Sequence, residues 1–302
     1  MKRKLFYGVL GLSLVLGSLT GCASSSGKTT EDKTAKEAAA KDKTATETAS
    51  TDKDTIIFGT CPGPYGDMVK YAIKPSLEEK GYKVEIVEFS DYVQPNLALA
   101  KGEVDVNVFQ HTVYFENFKT EHQLDLTRLT NIPTAGLGLY SNKYKALSEV
   151  PDGATFTVPN DVTNLRRALK EAQKAGLLTI DETVEVAKFS EKNVTDNPHN
   201  FVITPVEAAQ LPRTLESSDL AAIPGNYALS AGIDLDSAIY KEELSEEMKN
   251  IIAVKTVDKD SQFVKDILEV VESEAFHKVI ESSEHQFSHF QKPEWYTNKW
   301  GK

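Results

Sequence analysis

The chain has 302 residues, 40% of them hydrophobic and 26% charged, with 45 acidic against 34 basic side chains and a net charge of −11. That length suits about two domains and a core that needs no disulfide or metal to hold it. The acidic balance lacks the basic footprint that phosphate recognition requires, which excludes nucleic acid as a partner, and two cysteines exclude a disulfide scaffold.

Residues 1–22 read as an export signal. Lys2, Arg3 and Lys4 precede an apolar or small stretch from Leu5 to Leu19, too short to span a bilayer, which ends in Leu19-Thr20-Gly21-Cys22. That tetrapeptide resembles the lipobox of bacterial lipoproteins, which implies acyl chains on Cys22 and anchoring at the extracytoplasmic face of the cell membrane. Residues 23–54 contain no Leu, Ile, Val, Phe, Tyr or Trp, a composition that cannot bury enough surface to order itself, and are expected to form a flexible tether.

From Thr55 onward strands alternate with helices. Strands are expected over Thr55–Phe58, Lys83–Phe89 and Val104–Val108, and helices over Asp67–Lys80, Asp91–Lys101 (closed by Gly102) and His111–His122. Further strands are expected over Gly136–Ser141, Ala154–Val158, Leu220–Ile223 and Ile251–Val254. Helices are expected over Asp161–Lys174, Gln262–Glu272 and Ala275–Ile280. This spacing argues for an α/β protein with largely parallel sheets in two lobes, the ligand site lying between them at the strands' carboxyl ends.

Two loops carry candidate chemistry. After Val158-Pro159, Asn160 or Asp161 caps a helix on which Asn164, Arg167 and Glu171 share one face beside the apolar stripe Leu165, Ala168, Leu169, Ala172. Arg167 is thereby placed to grip a small carboxylate, or else it is a solvated residue of an amphipathic helix. After Val108, residues His111, Tyr114, Phe115 and Phe118 fall on one helical face, either as core or as an aromatic wall with one hydrogen-bonding histidine.

Longer runs point the same way. Asp91-Tyr92-Val93-Gln94-Pro95-Asn96, Lys101-Gly102-Glu103-Val104-Asp105, Phe109-Gln110-His111, and Val158-Pro159-Asn160-Asp161 with Thr163-Asn164-Leu165 and Arg167 resemble the signature blocks of methionine-binding lipoproteins of the NlpA family. Gln210-Leu211-Pro212-Arg213-Thr214-Leu215 and Asn226-Tyr227-Ala228 extend the match, and Gln291-Lys292-Pro293-Glu294-Trp295 echoes it. The resemblance implies a two-lobed periplasmic-binding-protein-like fold of type II, with residues 55–135 and 251–302 in the first lobe and 136–250 in the second. It implies a monomer without cofactor or metal that hands methionine, in the first place L-methionine, to an ABC permease and its ATPase. Tyr92, Phe109, His111 and Tyr114 would enclose the thioether, and Asn164 and Arg167 would bind the backbone groups of the ligand. Where many relatives place an asparagine, this chain has Pro224-Gly225, so one ligand hydrogen bond is either lost or moved to Asn226. That departure leaves open another apolar amino acid or a methionyl dipeptide.

Three other classes are weaker. His285 and His289 lack the further ligands of a metal carrier. No nucleophile elbow, dinucleotide fingerprint or zinc-protease helix supports an enzyme. A surface lipoprotein or adhesin would need no closed pocket. Cys61, with no disulfide partner once Cys22 is acylated, is expected to be a plain buried thiol or to face the ligand.

Overall fold

The computed structural model describes residues 53–301. The signal segment, Cys22 and nearly all of the expected tether lie outside the described residues. Lys53 and Asp54, read from the sequence as the end of that tether, already belong to the fold: Lys53 pairs with Asp105, and the Asp54 carbonyl accepts from the Lys83 amide at 2.7 Å. Among the described residues no helix is long and apolar enough to cross a membrane.

In chain order the elements begin with β1 (Thr55–Thr60), α1 (Pro64–Met68), α2 (Lys74–Glu79), β2 (Lys83–Glu88), α3 (Gln94–Lys101), β3 (Val106–His111), α4 (Thr112–His122) and β4 (Leu126–Asn131). The chain then crosses to a second sheet through residues 132–137. There it forms β5 (Gly138–Tyr140), β6 (Thr155–Pro159), α5 (Val162–Lys174), a small pair β7 (Thr179–Ile180) and β8 (Val194–Asp196), then β9 (Val202–Val206), α6 (Leu211–Thr214), β10 (Leu220–Ile223), α7 (Gly225–Ser230) and β11 (Tyr240–Lys241). Residues 242–249 cross back, and β12 (Asn250–Lys255), α8 (Gln262–Val271), α9 (Glu274–Ile280) and α10 (Glu294–Trp300) complete the first half.

The two main sheets run β2-β1-β3-β12-β4 and β11-β5-β10-β6-β9. They are mixed, not largely parallel as the strand–helix alternation suggested. β1 is parallel to β2 and β3, and β6 to β9 and β10, as the crossover helices dictate. The strands next to each crossing are antiparallel: β12 against β3 and β4, and β5 against β10 and β11. A strand that enters a sheet from the other half is free of the helical crossover that enforces parallel pairing.

The inner strands β12 and β10 carry apolar runs because both faces of each sheet are covered. In β12, Ile252 and Val254 face the cluster under α1, α2, α8 and α9, while Ile251 and Ala253 face Leu99 and Phe115 of α3 and α4. In β10, Leu220 and Ala222 pack beneath α5, and Ala221 and Ile223 against Leu211 and Tyr227. Helix α5 lays Leu165, Ala168, Leu169 and Ala172 into that core. The helix expected over Asp67–Lys80 starts earlier, at Pro64, and contains a π-turn over Val69–Ile73, where Pro75 removes a backbone donor. Asp91, expected inside α3, instead accepts from the amides of Val93 and Gln94 just before it, and Gly102 ends it in the left-handed conformation (φ 76°).

Truncating Ile252 to alanine, fully buried on the inner strand β12 of the first sheet, should cost about 2–5 kcal/mol in urea denaturation. Val202→Ala on edge strand β9, where the side chain is 54% exposed, should change stability by no more than about 0.5 kcal/mol.

Candidate functional site

The site grows from the ends of β3, β6 and β10, where strands deliver polar side chains into the gap between the sheets. His111, the last residue of β3, is also the N-cap of α4: its Nδ1 accepts from the Tyr114 amide at 3.1 Å. That bond places the ring proton of the neutral imidazole on Nε2, which donates to Asn164 Oδ1 at 3.1 Å across the gap. Burial, together with the Arg167 charge, drops the His111 pKa to about 3.

On the opposite side, Asp161 caps α5. It accepts from the Asn164 amide at 2.9 Å, from Asn164 Nδ2 and from Thr163 Oγ1. Burial raises the Asp161 pKa, and those three donors hold it down in part. Asn164 is thus fixed with its oxygen forward, where it also accepts from Arg167 Nη1 at 3.2 Å. Arg167, one turn on, is buried and gives Nε and Nη2 to the carboxylate of Glu242 at 2.8 and 2.5 Å. Burial alone would lower the Arg167 pKa, but Glu242 holds it above its ordinary value.

After β10, Pro224 opens α7 and its carbonyl accepts from the amides of Tyr227 and Ala228. Gly225 follows because a side chain there would meet Ala135 and the Gly136 carbonyl at 2.6 Å. Asn226 then points across the gap, accepting from the Tyr92 hydroxyl at 2.7 Å and donating to the Pro62 carbonyl at 3.1 Å. Gly63, at φ 120°, lets the two halves touch: a Cβ there would lie 2.5 Å from the Asn226 carbonyl. Tyr92 packs on Phe109, Tyr114 and Tyr227 with ring centroids 5.0–6.0 Å away.

Between these groups lies one small cavity. All seven residues expected from the sequence line it: Tyr92, Phe109, His111 and Tyr114 from the first half, and Asn164, Arg167 and Asn226 from the second. The sequence reading did not single out Tyr65, Gln110, Pro224, Gly225 or Asn250 as site residues, and they line it too. Glu242 was also missed; Lys241-Glu242-Glu243 reads as a solvated charge run, and only its 4% exposure and its bond to Arg167 reveal its place. Cys61 is fully buried beside Phe109, Tyr114 and Phe118, its thiol donating to the Asp91 carbonyl, and it does not line the cavity.

Two sheets joined by two crossing segments, with an aromatic-and-amide cavity between them, are the build of a two-lobed substrate-binding protein. Comparison with known proteins agrees. The sequence model of the family described as NlpA lipoprotein matches residues 56–295. A probable D-methionine-binding lipoprotein MetQ of Haemophilus influenzae is 32% identical over 280 residues, which is 92% of this chain and 95% of the relative. Among solved structures, a nutrient-binding protein from Burkholderia cenocepacia bound to methionine is 34% identical, with a TM-score of 0.72 over 77% of this chain and 97% of that one. An ABC transporter periplasmic substrate-binding protein from Coxiella burnetii is 32% identical, with a TM-score of 0.69 over 75% and 95%. The chain belongs to the NlpA lipoprotein family.

The buried His111 gives a pH dependence. The unfolded chain binds a proton there as pH falls through about 6.5, whereas the folded chain does so only near pH 3. The stability present above the unfolded pKa is therefore lost as pH falls across that window, by about 1.4 kcal/mol per pH unit. Denaturant midpoints measured from about pH 7 to 4 should fall accordingly, and His111→Gln should flatten the decline by that one proton's share. An equally steep decline in the variant would contradict the assignment.

Proposed function

We propose that this chain is the substrate-binding lipoprotein of an ABC importer and that its ligand is methionine. The observation that carries the reading is the division of labour in the cavity: an aromatic wall from one half faces Asn164, Arg167 and Asn226 from the other. An amphipathic amino acid fits such a site, with its thioether against Tyr92, Phe109 and Tyr114 and its charged end at the amides and the guanidinium. Of the five N–H groups of a guanidinium, Glu242 takes two and Asn164 one, so Nη1 and Nη2 each keep a hydrogen for a ligand carboxylate. The names of the relatives support the same ligand class.

Function follows from closure. A ligand touching both halves adds contacts that exist only when they meet, so binding shifts the population towards the closed form. The protein performs no chemistry on its cargo. Acyl chains on Cys22 hold it to the extracytoplasmic face of the membrane, and the loaded monomer docks on a permease whose ATPase powers import. Pro224 lines the cavity beside Asn226, so the amide of Asn226 takes the role that an asparagine at position 224 has in many relatives.

Calorimetric titration of the full chain in detergent, stripped of ligand by unfolding and refolding, tests the reading against L- and D-methionine, leucine, glutamine and Gly-Met. Tight stoichiometric binding of one methionine enantiomer supports it; stronger binding of a comparison ligand would replace methionine, and silence from all would refute it. Arg167→Ala should weaken methionine binding by at least about a hundredfold. It should also cost about 3–5 kcal/mol of stability by leaving Glu242 buried without its partner. Removing both residues, as Arg167→Ala with Glu242→Ala, should recover much of that stability while affinity stays lost, as melting curves and titrations would show in parallel.

A further inference from the structure

Arg167 is the single cation of the cavity wall among the described residues, and it is outnumbered. Glu242 lies outside the cavity yet takes the whole side edge of the guanidinium, and its Oε2 also accepts from the Leu137 amide at 2.8 Å. Asp161 stands behind Asn164, and its charge is felt by Arg167 and by the wall tyrosines Tyr92 and Tyr114. The remaining titratable groups of the wall carry no charge near neutral pH: His111 is neutral, and burial pushes the hydroxyls of Tyr65, Tyr92 and Tyr114 up. Two carboxylates against one guanidinium leave the surroundings of the cavity with a net charge of about −1.

We propose that Glu242, acting through Arg167 and together with Asp161, makes the site select ligands by net charge, admitting zwitterionic amino acids and rejecting the corresponding anions. This rests on the methionine reading above and deepens it. An unopposed arginine in a buried pocket would welcome any carboxylate of suitable shape. Here the guanidinium charge is already balanced, so a carboxylate gains hydrogen bonds from Nη1 and Nη2 but little net attraction unless an ammonium arrives with it. Glu242 is a positioning residue: it also aims the free edge of Arg167 into the cavity by holding the opposite edge.

Three ligands of one shape separate charge from fit: methionine (net zero), its deaminated anion 4-(methylthio)butanoate, and the cation methioninol. Each is titrated into the full-length wild type and Glu242→Gln, with melting curves alongside. Relative to methionine, Glu242→Gln should improve binding of the anion on the order of tenfold and weaken binding of methioninol by a similar factor. Glu242→Asp keeps the charge and should keep the wild-type ranking. Asp161→Asn keeps a good helix cap and should shift the ratios in the same direction as Glu242→Gln, which preserves the test if the latter variant folds poorly. A common loss for all three ligands, or unshifted ratios in both neutral variants, would overturn the charge rule alone. A wild type that binds none of the three would overturn the methionine reading and this one with it.

Discussion

The buried ion pair between Arg167 and Glu242 is the constraint around which the cleft is arranged. Desolvating two charges is costly, and the pair persists only because its remaining valences are met. The Glu242 amide donates to the Leu137 carbonyl at 3.0 Å, and its carboxylate accepts the Leu137 amide in return. Its own carbonyl accepts from Gln291 Nε2 at 2.8 Å, while Gln291 Oε1 takes the Leu244 amide and its backbone pairs with Thr134. One arginine on α5 is thus tied to both segments that join the sheets and to the C-terminal part of the first half. The orientation of the guanidinium and the path of the hinge are one structural fact.

Across the cleft the halves share hydrogen bonds between Tyr92 and Asn226, Asn226 and the Pro62 carbonyl, and His111 and Asn164, beside the packing of Tyr92 on Tyr227. Each partner is braced from behind. The Tyr114 hydroxyl donates to the Tyr92 carbonyl, Asp161 holds Asn164, and the start of α7 fixes Asn226. Beneath them Asn96 and Gln110 exchange reciprocal side-chain hydrogen bonds at 2.7 Å, a buried amide pair that keeps the floor of the cavity rigid. Bracing of this kind fixes each cross-cleft donor or acceptor from its own half.

Much of this was legible in the sequence, for local reasons. Helical periodicity put Asn164 and Arg167 on one face and His111, Tyr114, Phe115 and Phe118 on another, and the inner strands declared themselves as short apolar runs, whereas the capping role of His111 emerged only from the structure. What was missed depends on tertiary context. Strand β4 (LTRLTN) and strand β9 (VITPV, with Pro205) are edge strands, half polar or interrupted by proline, and carry no clean alternation. Helix α7 opens on Pro-Gly and is six residues long, too brief for a periodic signal. Glu242 could not be distinguished from its exposed neighbours, because what buries it is a guanidinium 75 residues away. The pairing direction of β5 and β12 follows from where the chain crosses, which no local pattern encodes.

The position of β12 between β3 and β4 also orders events in time. The second sheet is built from one continuous stretch, residues 138–241, whereas the first lacks an inner strand until residues 250–255 have arrived. As the chain emerges from its N-terminus, β1 to β4 stay an unfinished sheet with an open seam while the downstream half can already collapse on its own contacts. Contacts so distant in sequence carry a loop-closure cost and slow the search. The half that begins first is therefore completed last, and the hinge is locked only when Gln291 follows β12 into place.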